Sequence, residues 1–116
     1  MRFVKVKFGG GSLGKNKGVE KAPDLILDNG KEIKIDVSNI DLTMDNISNS
    51  EGDFFVGGDH SITYGSFKGF AKKFKNPGII VFDAHPDLEV NSGSASHEDY
   101  LRKLVEDGFL KKENII

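Results

Sequence analysis

The sequence predicts an α/β fold, a parallel sheet flanked by helices, in a single domain covering residues 1–116. Two observations predict it. Short apolar runs at residues 3–8, 53–56 and 79–82 have the length and composition of strands, and the run at 79–82 is continuous, as in strands buried on both faces. Helical patterns at 61–74 and 96–105 separate the later runs, and strand–helix–strand alternation means parallel strands joined by crossovers. A length of 116 residues suits one domain with one modest core.

The elements follow in order. Phe3, Val4, Val6 and Phe8 interleave with Lys5 and Lys7, a strand with one wetter face. Gly9, Gly11 and Gly14 then satisfy a bare G-x-G-x-x-G in a loop that is expected to be mobile. The match is weak as a nucleotide site, because Asn16, Gly18 and Pro23 interrupt any helix that should follow. Residues 23–27 read as a short helix with Pro23 in its first turn, and Asp28-Asn29-Gly30 as a turn. Ile33, Ile35 and Val37 alternate with charge and predict a second strand. The polar, Asn-rich segment 38–50 is expected to be a loop with room for a helix.

Residues 53–56 are a strand ending at Gly57-Gly58. The helix over 61–74 carries Phe67, Phe70 and Phe74 on one face, and Asn76-Pro77-Gly78 stops it. Ile79-Ile80-Val81-Phe82 is expected to be a buried central strand. After a Gly/Ser-rich loop at 91–96, Ser96 and Asp99 form a capping-box pattern for a helix through Leu101, Leu104 and Val105. Asp107-Gly108 ends it, and Asn114-Ile115-Ile116 looks like the start of a further buried strand.

Composition narrows the function. The formal net charge is −2, which offers no electrostatic footprint for nucleic acid. There is no cysteine, so disulfides, thiolate catalysis and thiolate zinc sites are excluded, and a reducing cytoplasm is the expected compartment. The N-terminus has no signal-peptide core, and no apolar run reaches the roughly 18 residues that span a bilayer. A soluble cytoplasmic protein without membrane contact is expected.

The chemistry concentrates in two motifs. Asp83, His85 and Asp87 follow the strand at 79–82, and in an extended chain period-two geometry puts all three on one side. They lie at the carboxyl end of a parallel strand, where open α/β sheets place their ligands. Two carboxylates and an imidazole, without sulfur, suit Mn, Fe, Ni or Zn. Taken alone, the triplet reads equally well as a solvated turn with capping side chains. Asp59-His60, past Gly57-Gly58 at the end of another strand, shifts the balance toward a metal site. If the two strands are neighbours, His60 shares a crevice with the triplet.

Gly57-Gly58-Asp59-His60-Ser61 followed by Asp83-Ala84-His85-Pro86-Asp87 resembles the ureohydrolase family of arginases and agmatinases. Gly18-Val19-Glu20-Lys21-Ala22-Pro23 is similar to that family's N-terminal loop, with Ala22 where Gly is usual, and Ser96-His97 looks like its active-site histidine. The resemblance implies a three-layer, arginase-like α/β fold of which this chain is the N-terminal portion. It further implies two Mn²⁺ ions per complete site, with His60 and Asp87 on one, His85 on the other and Asp83 bridging. A hydroxide between the ions would attack a guanidinium carbon, in arginine or agmatine, and release urea. Asp59 would orient a ligand from behind, and His97 would shuttle a proton or position substrate. Glu89 and Asn91 fall where the family contacts the substrate's amino-acid end. Glu89 stands where Asn is frequent, which disfavours a substrate carboxylate.

The family completes its site with a later D-x-D-x-x-D-P stretch, and this sequence contains no D-x-D. The chain therefore reads as truncated, with four of six metal ligands. A homo-oligomer or a companion chain supplying the missing half is expected as partner. The alternative is a non-catalytic relative that binds metal and serves as a partner subunit. Counting bound Mn²⁺ and assaying urea separate the two.

Overall fold

The structure is a computed structural model and describes residues 1–91 and 93–116. β1 (Phe3–Val6) is the middle strand of a three-stranded parallel sheet. On one side it pairs with β2 (Lys31–Glu32), Val4 opposite Lys31. On the other it pairs with β3 (Phe54–Gly57), from Phe3 opposite Phe54 to Val6 opposite Gly57. The alternation read in the sequence sorts its faces. Val4, Val6 and Phe8 are fully buried, each worth about 1.5–3 kcal/mol against exposure. Lys5, on the other face, is also covered, and its ammonium meets Asp24 of α1 (Ala22–Ile26) at 3.0 Å. Lys7 bridges Asp24 and Glu32.

The core continues from β1 into three helices. Met44 and Ile47 come from α2 (Ile40–Ser48), Ile62, Tyr64 and Phe67 from α3 (Ile62–Ala71), and Tyr100, Leu101 and Leu104 from α4 (Tyr100–Glu106). α2 and α3 pack closely where α3 has no side chains. A Cβ on Gly69 would lie 2.4 Å from Ser48 O, and one on Gly65 would lie 2.9 Å from Met44 O.

Several sequence expectations are corrected. The strand expected at Ile33–Val37 is reduced to Lys31–Glu32, and residues 33–37 are irregular. Their backbone groups are satisfied by α2 side chains instead. Asp36 N donates to Thr43 Oγ1 and Asp36 O accepts from it, while Asn46 donates to Lys34 O. The segment at 38–50 is the helix α2, capped by Asn39, whose side chain accepts from Leu42 N at 3.0 Å. Replacing Asn39 with Ala is expected to cost about 1 kcal/mol, measurable as a lower urea midpoint with an unchanged slope.

α3 is shorter than its pattern, and Phe70 and Phe74 stack on one another at 4.5 Å but remain about half exposed. Residues 79–82 are not a buried central strand. Ile79 makes one parallel bridge, to Ile115, and the side chain of Phe82 is 96% exposed. Among the described residues only one edge is paired, by Asn114–Ile116. The opposite side faces an apolar groove of about 260 Å³, lined by Phe55, Phe67, Phe70 and Ile79, that separates it from β3. The expected strand start at 114–116 amounts to that bridge, preceded by a 3₁₀ turn at Lys112–Asn114. In the loop 91–96, Ser92 lies outside the described residues. The Gly9–Gly14 loop contains a 3₁₀ turn at Gly10–Ser12.

The capping-box pattern is realised one way round. The Asp99 carboxylate takes the Ser96 N–H at 2.8 Å and its hydroxyl at 2.6 Å, and α4 begins only after that turn, at Tyr100.

Candidate metal centre

The site forms where β3 and the 79–82 segment end. β3 leads into Gly58, which passes directly over the end of β1. A Cβ there would stand 2.2 Å from Phe8 O, and the next amide, Asp59 N, donates to that same carbonyl at 3.1 Å. This contact delivers His60 to the carboxyl end of the sheet. Although their strands do not pair, His60 and the second motif meet. His60 Nδ1 lies 2.8 Å from Asp83 Oδ2 and 3.4 Å from Asp87 Oδ2. One ligand atom from each of His60, Asp83 and Asp87 falls within 4.8 Å of the others, a spacing that one cation can bridge.

The two carboxylates differ in environment. Asp83 accepts the His85 amide at 3.0 Å, and this bond, followed by the charge of His60, holds its pKa below the usual carboxylate value. Asp87 is 7% exposed, and its Oδ2 is buried without a hydrogen-bond partner. Burial first, then the charge of Asp83, push its pKa up. Its backbone is left-handed, with φ of 49°. A buried carboxylate oxygen with no donor, facing a second carboxylate, costs free energy that a cation would recover. An oxygen-oxygen-nitrogen donor set fits a first-row divalent ion. His60, Asp83 and Asp87 therefore fit one divalent ion of the two that the resemblance implied.

The other expected site residues are placed differently. His85 is 81% exposed and its Nδ1 is 3.8 Å from Asp83 Oδ1, so it stands outside the three-residue cluster. The chain bends at Ala84–His85, where the His85 amide returns to Asp83 Oδ1, and this breaks the period-two alignment on which a shared side depended. The Asp59 carboxylate does not hold a ligand. It accepts from Ser61 N and Gly11 N, both at 2.9 Å, and so ties the Gly-rich loop to the start of α3. Asn91 is taken up within its own loop, donating to Ser94 O and to Asp99 and accepting from Gly93 N. His97 is mostly buried, and its Nε2 has no hydrogen-bond partner.

His60, Asp83, His85, Asp87, Glu89 and His97 line one cleft of about 470 Å³. Asn16 and Glu98 line it too, and neither was anticipated from the sequence. Glu98 pairs with Lys15, which brings the Gly-rich loop to the rim and lowers the Glu98 pKa, the Lys15 hydrogen bond being the main cause. The Gly11 carbonyl accepts from His97 N at 3.0 Å, so the loop is bound to both sides of the cleft. Among the signals available, only the position of Glu98 beside His97 could have drawn attention to it.

A parallel α/β sheet with clustered carboxylates and imidazole at its strand ends defines a class of α/β proteins whose strand-end side chains could hold a metal ion. Within that class the chain belongs to the arginase family, whose model matches residues 4–116. It is 33% identical over 106 residues to an arginase of Staphylococcus aureus (strain COL), covering 80% of this chain and 33% of that protein. It is 40% identical over 62 residues to a formimidoylglutamase of Halalkalibacterium halodurans, covering 53% of this chain and 19% of that protein. Two crystal structures share the fold over 98% of this chain. A formimidoylglutamase of Bacillus subtilis subsp. subtilis str. 168 has a TM-score of 0.82 at 20% identity, with 45% of its chain covered. An arginase of Bacillus subtilis has a TM-score of 0.74 at 22% identity, with 53% covered. The chain thus spans about a third of the curated arginase it matches and about half of the solved chains.

Proposed function

We propose that this chain carries part of the active site of a metal-dependent hydrolase that cleaves a guanidino compound, of arginine or agmatine type, and releases urea. The observation that carries the reading is the convergence of His60, Asp83 and Asp87 around the unpartnered Asp87 Oδ2. Family membership and the arginase relative support a guanidino substrate.

His60, Asp83 and Asp87 would hold one Mn²⁺, and His85 with Asp83 would contribute to a second. Bound divalent ions lower the pKa of water and so supply a nucleophile for an unreactive guanidinium carbon. The chain's own residues do the rest. Asp83 stays ionised through its bond to the His85 amide, which keeps it available as a ligand across the neutral range. His97, with Nε2 in reserve at the cleft, is the group that carries a proton to the departing amine nitrogen. Breaking that C–N bond with one water yields urea and the free amine.

Glu89 lines the cleft, and we take the substrate's charged end to lie near it. We therefore favour a cationic guanidine without a carboxylate. Glu89→Gln is expected to shift the ratio of kcat/KM toward arginine by about twofold to fivefold, as losing one unfavourable exposed charge pair would. An unchanged ratio would count against this placement.

We further propose a partner, either a second copy or a companion chain bringing additional carboxylates. Its support is the length covered in the relatives, together with the exposed apolar side chains of Ile80, Phe82, Val90 and Ile116. A cytoplasmic setting is also part of the proposal, since a chain without cysteine suits a reducing compartment. No described helix is long and apolar enough to cross a membrane.

The test is urea release from arginine and agmatine by the Mn²⁺-loaded assembly in which the chain occurs. Turnover that falls at least a hundredfold with His97→Asn supports the reading, and an assembly that binds Mn²⁺ yet releases no urea contradicts it. The second reading, a non-catalytic metal-binding subunit, is favoured by one observation: His85 stands apart from the cluster. It expects one ion or fewer per chain and no urea.

A further inference from the structure

Tyr100 belongs to no motif, yet it sits between the two that form the cleft. It is fully buried in the first turn of α4. Its ring lies 4.5 Å from the His60 imidazole, centroid to centroid, at an interplanar angle of 41°. Its hydroxyl is buried without a well-formed hydrogen-bond partner, and so is Asp87 Oδ2. α4 also holds the Asp87 backbone, since Arg102 N approaches Asp87 O at 3.5 Å beside the left-handed φ of 49°. A buried donor and a buried acceptor, each lacking a partner and carried by segments already in contact, complete one another.

We infer that Tyr100 is a positioning residue of the metal centre: its ring fixes the His60 imidazole, and its hydroxyl donates to the Asp87 carboxylate. The inference rests on the metal-binding part of the proposed function. A phenol carries its proton at neutral pH, so the hydroxyl meets the carboxylate as a donor rather than as a ligand. A ligating carboxylate oriented by a donor behind it, and a ligating imidazole held by a ring face, are the kind of outer support that sets metal affinity.

The test compares Mn²⁺ affinity by titration calorimetry for the whole 116-residue chain, Tyr100→Phe and Tyr64→Phe, alongside metal-free thermal midpoints. Tyr100→Phe keeps the ring and is expected to weaken Mn²⁺ binding about tenfold or more, with little change in midpoint. Tyr64→Phe loses a 2.5 Å hydrogen bond to Asp107 and is expected to lower the midpoint while leaving affinity unchanged. A purely structural Tyr100 would give the Tyr64 pattern, and that result overturns the inference. Wild-type chain that binds no Mn²⁺ overturns the metal reading itself, a distinguishable failure.

A second measurement needs no folded Tyr100 variant. The chain has two tyrosines and no tryptophan, so in Tyr64→Phe the near-ultraviolet tyrosine absorption belongs to Tyr100. Adding Zn²⁺ is expected to give a saturable difference spectrum there. Zn²⁺ binding that leaves the tyrosine band unchanged overturns the inference.

Discussion

Replacing Asp87 with Asn is expected to abolish saturable Mn²⁺ binding and, in the absence of metal, to make the chain more stable. Both effects come from one oxygen. Asp87 Oδ2 is buried and faces Asp83, and one phenol donor does not offset its charge, which is unfavourable until a cation arrives. Asn removes the charge at nearly constant volume. It also tolerates the left-handed φ of 49°. Relief of about 1 kcal/mol, the low end of the penalty for an unpaired buried polar group, raises the thermal midpoint by about 4 °C.

The pH dependence has a definite sign. The folded state holds the Asp87 proton more tightly than the unfolded chain does. Its contribution is therefore fully present below the ordinary carboxylate pKa of about 3.9 and is lost as pH rises through the elevated folded value. The stability advantage of Asp87→Asn should accordingly be widest at neutral pH and shrink on acidification. Thermal melts of both proteins at several pH values check this. A variant less stable than wild type at neutral pH would show that the Asp87 charge is already compensated in the metal-free chain.

Gly58→Ala is expected to have the largest effect on stability, about 3 kcal/mol, the upper part of the range for overpacking. The added Cβ would meet Phe8 O at 2.2 Å, Phe8 C at 3.0 Å and Val19 C at 3.1 Å. All three are backbone atoms, so no rotamer change relieves the contact. The ends of β1 and β3 would have to separate, and the Asp59 N to Phe8 O bond beside them would stretch. The thermal midpoint should fall by more than about 10 °C. Mn²⁺ affinity should fall with it, because His60 is two residues away on the displaced segment. A midpoint within about 2 °C of wild type would mean that the backbone crossing here is looser than described.

The elements that could be read from the sequence are those whose pattern is local. β1 announces itself by Phe3, Val4, Val6 and Phe8 alternating with lysine, and β3 by its apolar run before Gly57-Gly58. Where a segment's partners are remote, the pattern misleads. Ile33, Ile35 and Val37 alternate like a strand, but Thr43 and Asn46 of α2 take the backbone groups that a neighbouring strand would have used. Residues 79–82 are apolar throughout, and among the described residues only Asn114–Ile116 pair with them, on one edge.

The site shows the same division. Residue types and their place at strand ends are visible in the sequence, which is how His60, Asp83 and Asp87 stood out. Which side chains meet depends on backbone turns that composition does not reveal. The bend at Ala84–His85 leaves His85 facing solvent, and the Gly11 amide, unseen from sequence, claims the Asp59 carboxylate. Tyr100 could not be found at all, since a tyrosine in the first turn of a helix reads as ordinary core.

The most direct test of the metal centre is anomalous diffraction at the Mn edge from crystals of the chain grown with Mn²⁺. The expected result is a peak within coordination distance of His60 Nδ1, Asp83 Oδ2 and Asp87 Oδ2, lost in Asp87→Asn. Manganese found only on exposed carboxylates such as Glu51 and Asp53, or nowhere in crystals grown at saturating Mn²⁺, would contradict it.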